Sequence, residues 1–320
     1  MDYYDIIGLG TPVKDLLITI DDMPVRDSAI MINDYSSQGG GKVSTAMVAA
    51  ARLGAKVSMC GVVGSDSKGE FIIEDFKRHG IDVSHMVIDE GKTSVYCLCI
   101  AEKETQTRRF FGKAGTARML ALEDMDYDYL KSAKIIHVES GNNVIRNAVE
   151  FAKKEGVTVS IDADNYTEEI ENMEHLIDIF IASEFYYKKR FPSLSHEEGL
   201  ACLAEKGCKI AIFTLGSRGC VGLYNNEYFS FPAFTGLNII DTTGAGDVFH
   251  GAYLSAYLKG IDPKECARVA SAVSAIKCTR IGGRSGIPDW DMTRSFLDNN
   301  QIVNEETLDK RVDFYRSKVF

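Results

Sequence analysis

No stretch of this sequence concentrates lysine and arginine: 36 basic residues stand against 46 acidic ones, a formal net charge of -10 over 320 residues. Nucleic acids and anionic membranes are met by clustered positive charge, so neither is expected as a partner. An anionic substrate is not excluded, because local donors and metal ions can meet it inside a negatively charged protein. No apolar run approaches the ~18 residues that cross a bilayer, and Met1-Asp2-Tyr3-Tyr4-Asp5 is acidic where a signal peptide is basic. A cytoplasmic location is the resulting expectation. None of the eight cysteines (60, 97, 99, 202, 208, 220, 266, 278) forms a Cys-x-x-Cys pair, and His196-Glu197-Glu198 lacks the second histidine of a helical zinc motif. Most of these cysteines lie in apolar stretches and read as reduced core thiols. Proline is scarce, with six residues, and there is neither an internal repeat nor a low-complexity linker.

With 45% hydrophobic residues, the chain can bury a large core. Short β-branched runs at 6–9, 57–63, 135–138, 157–161, 177–182 and 210–215 alternate with longer helical patterns. That alternation is the rhythm of a parallel sheet covered on both faces. Helical spacing over 71–79, 143–154 and 195–206 ends near Gly80, Gly156 and Gly207, three plausible helix stops. Two segments break the pattern: 16–20 with 29–35, and 93–101 with 107–111, read as strands with no helix between them. They predict a small second sheet. The 95–100 strand is apolar on both faces, which points to contact with a substrate or a second subunit.

The most informative motif is Asp241-Thr242-Thr243-Gly244-Ala245-Gly246-Asp247, leading into an apolar helix over 248–258. Gly244 and Gly246 free the backbone, and the unpaired N–H groups of a first helical turn face an anion. A carboxylate there can take the proton of a hydroxyl attacking phosphorus. A second reading is an ordinary helix start, since acidic residues favour that end.

Another glycine cluster, Gly39-Gly40-Gly41-Lys42, opens a small-residue helix that stops at Gly54. It is not a P-loop, because Ser36 and Val43 stand where Gly and Ser or Thr are needed. Gly8-Leu9-Gly10 opens no dinucleotide fingerprint: Val13 takes the third glycine position and Asp15 follows too early for a ribose acid.

Taken in order, Gly10 to Asp15, Gly40-Gly41 before Ala51-Arg52-Leu53-Gly54, Thr214-Leu215-Gly216-Ser217-Arg218-Gly219, and Asp241 to Asp247 resemble the ribokinase-like (PfkB) carbohydrate kinase family. The resemblance spans nearly the whole chain. It implies an α/β fold, a three-layer sandwich with a mainly parallel central sheet plus a small β-strand lid. Residues 1–14, 39–91 and 114–320 would form the main domain, with 15–38 and 92–113 inserted as the lid. The implied reaction is phosphorylation of a sugar hydroxyl by ATP with Mg2+, and the implied assembly is a homodimer through the lid.

Position by position, the resemblance makes Asp247 the base and Gly244, Ala245 and Gly246 the anion hole. Asp15, Gly40, Gly41, Lys42, Thr45 and Glu139 would meet the sugar. Ser183, Thr214, Gly216, Gly219 and Gly246 would meet the nucleotide, although 220–224 and 228–231 also read as a plain hairpin across Asn225-Asn226-Glu227. Asp241, Arg280, Gly283 and Ser285 fall in the segments that hold a monovalent cation such as K+ in many members.

The chain departs from the family at two places. Thr45 replaces the usual Asn of the Gly-Gly helix. Ser183-Glu184-Phe185-Tyr186 replaces Asn-x-x-Glu, removing the Glu that organises magnesium, with Glu184 the adjacent candidate to compensate. Arg108, Arg109 and Lys113 read either as a site for an anionic sugar or as a solvated strand edge. A nucleoside kinase of the same fold and a sugar- or nucleotide-binding regulator without turnover remain the alternative functions.

Overall fold

Side-chain alternation along the strands layers this chain, seen in a computed structural model that describes residues 3–105 and 107–319. Strand β1 (Tyr4–Leu9) turns Ile6 to one side and Ile7 and Leu9 to the other. The same split recurs in β11 (Ile179–Ser183), where Ile179 and Ile181 oppose Phe180 and Ala182, and in β12 (Ile210–Thr214), where Ile210 and Ile212 oppose Ala211 and Phe213. Both faces are apolar, so both are covered. Ile145, Ala148, Val149 and Ala152 of the helix Asn143–Lys154 cover one face. The other is covered by the helices Lys42–Arg52, Ala245–Leu258 and Pro263–Lys277.

The remaining strands are β2 (Val13–Ile20), β3 (Asp34–Gly40), β4 (Val57–Cys60), β5 (Val62–Gly64), β6 (Val87–Asp89), β7 (Val95–Glu102), β8 (Arg108–Lys113), β9 (Ala133–Val138), β10 (Thr158–Ala163), β13 (Cys220–Tyr224) and β14 (Glu227–Phe231). The main sheet runs β14-β13-β12-β11-β10-β9-β1-β4, parallel from β12 to β4 and antiparallel in the β12–β13 and β13–β14 pairs at its edge. This is the layered α/β plan, with a mainly parallel central sheet, that the motifs implied. Asn225 and Asn226 turn the hairpin at φ 51° and 61°, the left-handed values that a two-residue turn between twisted strands requires. The helix stops expected at Gly80, Gly156 and Gly207 all have positive φ, 73°, 77° and 109°.

A separate four-stranded sheet, β3-β2-β7-β8, stands beside the main one. The second of its four segments differs from the sequence expectation. The partner of β2 is Asp34–Gly40, with Asp15 opposite Gln38, rather than 29–35. Periodicity misled because the true strand buries Ser36, Ser37, Gln38, Gly39 and Gly40, whereas the apolar Ile30, Met31 and Ile32 lie exposed in a loop. Burial here follows hydrogen bonding, not hydropathy.

The helices Lys42–Arg52 and Ala245–Leu258 cross tightly at Gly251, where an added Cβ would lie 1.9 Å from the Ala46 carbonyl oxygen. Gly251→Ala is therefore expected to destabilise the protein by ~1–3 kcal/mol through overpacking. A urea titration reads the effect; an unchanged midpoint would mean the helices part without cost.

Candidate active site

The parallel strands end on one edge, and the chemistry-bearing residues follow those ends. Gly10 comes after β1, Glu139 after β9, Asp162 and Asp164 close β10, and Ser183 and Thr214 pair at the ends of β11 and β12. From β1 the sheet grows one way to β4 and the other way to β9, so the topology switches between β1 and β9. In open α/β sheets ligands bind outside the carboxyl ends of the strands at such a switch. Glu139 spans it, its Oε1 accepting from Thr11 N at 2.7 Å and its Oε2 from Val43 N at 3.1 Å. Both oxygens of the expected sugar contact are thus engaged by backbone.

Gly244 caps the helix Ala245–Leu258 in the left-handed conformation, φ 73°. A Cβ there would also come within 2.9 Å of Gly283 Cα, whereas one on Gly246 would meet open space. Protein packing explains the first glycine and not the second, which is exposed at the helix start. Asp247, in the first turn, is half-buried. Its burial pushes the carboxyl pKa up to about 7, a rise that Asp164 and Glu139 reinforce and that Lys42 and Arg108 oppose. Lys42 Nζ sits 3.3 Å from Asp164 Oδ2. Three carboxylates and one ammonium therefore surround the turn.

Asp15 projects from β2 beside Gly40, where a Cβ would approach its Oδ2 to 2.1 Å. Burial raises the Asp15 carboxyl to about 7, with Arg284 opposing and Asp241 adding to the rise. Gly40→Ala must displace that carboxylate, which the resemblance makes a sugar contact, and is expected to raise the sugar KM on the order of tenfold or more, as misplacement by an ångström does. Steady-state kinetics would reveal it; an unaltered KM would separate Asp15 from acceptor binding. Asp15, Cys97 and Cys99 also share one face, their ligand atoms within 4.8 Å of one another. Thr45 is 2% exposed, its methyl close to both Gly244 and Gly283.

Among the residues expected to meet a nucleotide, Thr214 Oγ1 donates to the Ala182 carbonyl at 3.3 Å, and Gly216 and Gly219 turn the chain at φ 60° and 92°. A Cβ on Gly219 would lie 2.0 Å from the Phe231 carbonyl oxygen. Ser183 caps the helix Glu184–Arg190, accepting from Phe185 N and Tyr186 N. Tyr186 points into the core and donates to Glu174 Oε1 at 2.5 Å, while Glu184 pairs with Lys188 and with Arg218 at 2.7 Å. Glu184, the adjacent acid, is therefore engaged by two cations.

The segment named for a monovalent cation is closed by its own contacts. Asp241 Oδ1 accepts from Thr243 N at 2.8 Å and Oδ2 from Gly282 N at 2.7 Å. Arg280 faces outward to Asp309 and Glu305. Ser285 donates to the Ile281 carbonyl.

Two features escaped the sequence reading, Asp162 with Asp164 and Gln38, and one residue it had named, Arg108, takes a partner it did not foresee. Asp162 and Asp164 could have been found as carboxylates closing an apolar parallel strand. Asp162 is 3% exposed and lies 3.4 Å from His250 Nε2. Burial raises its pKa, Asp247 raises it further, and burial drives His250 well below its ordinary value. Gln38 left no periodic signal: its Oε1 accepts from Arg284 N at 2.8 Å and its Nε2 donates to the Ile281 carbonyl at 2.9 Å, tying the small sheet to the 281–285 loop. Arg108 crosses from β8 to donate to Thr242 O at 2.7 Å and Oγ1 at 2.6 Å, while Arg109 pairs with Glu102.

The chain is a member of the pfkB family carbohydrate kinase group, whose family model matches residues 13–290. It is 26% identical to a nucleoside kinase of Methanothermobacter thermautotrophicus, over 89% of this chain and 93% of that one. It is also 26% identical to a ribokinase of Haemophilus influenzae, over 91% and 97%. A candidate ribokinase II of E. coli, solved in complex with ATP and Mg2+, superimposes with a TM-score of 0.81 at 21% identity, over 92% of this chain and 99% of that chain. Among the described residues no helix is long and apolar enough to cross a membrane.

Proposed function

We propose that this kinase transfers the terminal phosphoryl group of ATP to a hydroxyl of a sugar or sugar derivative, with Asp247 as the base. The single observation that carries this reading is the Asp247 carboxyl, raised to about 7, in the first turn beyond a glycine opening with free space before it. At that pKa the carboxylate is basic enough to take a hydroxyl proton and is still about half ionised at neutral pH. The N–H groups of 244–246 would receive the developing phosphate charge. Asp15 would accept hydrogen bonds from two hydroxyls of the acceptor, and Thr214, Gly216 and Gly219 would border the nucleotide.

Asp162 and Asp164 offer hard carboxylate oxygens that fit a Mg2+ ion carried in with ATP. Bound there, the ion would supply neutralisation of phosphate charge. Arg108 brings a guanidinium from the small sheet to the turn, which supports that sheet acting as a lid.

A nucleoside acceptor is the second reading. The curated nucleoside kinase relative favours it. ATP consumption measured against sugars, sugar phosphates and nucleosides tests both. We expect ADP release with a sugar; release with nucleosides alone would select the second reading. Binding without consumption of ATP anywhere would overturn both in favour of a regulator.

A further inference from the structure

The loop that carries the glycine turn is held from beneath by one helix, Pro263–Lys277. Ile240 and Asp241 donate their N–H groups to the Cys278 carbonyl at 2.8 and 3.2 Å, and the Ser274 hydroxyl donates to the Ala245 carbonyl at 2.9 Å. Between these contacts lies Lys277, 0% exposed, whose ammonium donates to the carbonyl of Asp241 at 2.9 Å and to that of Thr243. Residues 274, 277 and 278 share one face of the helix. The mechanism outlined above gives this buried charge no task.

The residues named for a monovalent cation do not fit one. A hard cation collects several oxygen ligands, yet both carboxylate oxygens of Asp241 accept backbone N–H groups and the Ser285 hydroxyl is spent on Ile281. The Asp241 and Thr243 carbonyls already face a positive charge. We infer that Lys277 is a built-in cation that positions the 241–247 turn, making turnover independent of any added monovalent cation. Because a trans peptide directs its N–H opposite to its C=O, holding the Thr243 carbonyl on the ammonium points the Gly244 N–H away from it. An ammonium beneath the turn also favours an anion above it, in a site where screening by water is weak.

The rate arm of the test rests on the proposed kinase function; the stability arm does not. Wild-type turnover is expected to stay within about twofold when K+ is replaced by Na+ or choline at constant ionic strength, a negligible change in transition-state stabilisation. Lys277→Ala is expected to lower kcat by ~10²-fold through misplacement of the turn, and K+, ammonium or methylamine should restore at least part of it. Those cations should also raise the variant's unfolding midpoint and leave the wild type's unchanged, since only the variant has a place to bind them. A purely structural lysine would give a loss without rescue. Activation of the wild type by K+ of about tenfold or more would overturn the inference, as would a variant indifferent to every cation in both rate and midpoint. Should Lys277→Ala fail to fold, the wild-type cation series still decides. Absence of turnover from the wild type would count against the kinase reading alone, and the midpoints would then settle the role of Lys277.

Discussion

Asp247→Asn is expected to lower kcat by ~10²-fold to 10⁴-fold, the usual worth of a positioned base, while leaving the fold intact. Asparagine keeps the shape but cannot accept the proton. The pH dependence should be as informative as the loss itself. Because burial raises the Asp247 carboxyl to about 7, wild-type kcat/KM should climb with pH through about 7 as the base ionises, and the residual activity of the variant should lack that limb. The same shift has a cost in stability. A carboxyl with a folded pKa near 7 and an unfolded one near 4 favours the folded state most below about 4, and that contribution is lost as pH rises towards about 7. Asp247→Asn removes this penalty, so its unfolding midpoint at pH 8 should lie above that of the wild type. Full activity in the variant, or a midpoint below wild type at that pH, would remove Asp247 from the mechanism.

The largest effect on stability is expected at Arg284. Its guanidinium is 0% exposed, donates to Asp75 Oδ2 at 2.6 Å and to the Gly40 carbonyl at 3.1 Å, and lies against Gly39, where a Cβ would come within 2.0 Å of Nη1. Tyr315 completes the pair by donating to Asp75 Oδ1 at 2.7 Å. Arg284→Met would leave Asp75 buried without its counter-charge, at a cost of ~3–5 kcal/mol. Exchanging both partners for apolar residues, Arg284→Met with Asp75→Leu, should recover much of it, because a buried pair is worth little beyond an apolar replacement of similar size. Denaturant titration of the single and double variants measures both. A single variant within about 1 kcal/mol of wild type, the scale of an exposed pair, would show that water reaches Asp75. The pair also borders the proposed acceptor site, since Arg284 opposes the raised pKa of Asp15.

Much of the main sheet could be read from the chain because its strands are buried on both faces, and burial leaves a run of β-branched residues that periodicity detects. The small sheet was read less well. Strand β3 is polar and glycine-rich, is buried by hydrogen bonds from Gln38 and by the close approach of Arg284, and so carries no apolar signature. Asp162 and Asp164 were missed for a related reason. An isolated carboxylate at a strand end looks like any solvated acid until the fold places Lys42 and Asp247 around it. Glu139, expected to meet the sugar, also holds the backbone of Thr11 and Val43 with its two oxygens, a role the sequence did not show.

By itself the sequence determined the layered α/β plan, the family, and the glycine turn followed by Asp247, because each rests on local backbone chemistry or on a short ordered spacing. Only the tertiary structure decided which charges meet. Lys277 and Asp241 are 36 positions apart and Arg284 and Asp75 are 209 apart; nothing in a one-dimensional pattern records that distance, since buried ions are stabilised by partners the fold alone supplies.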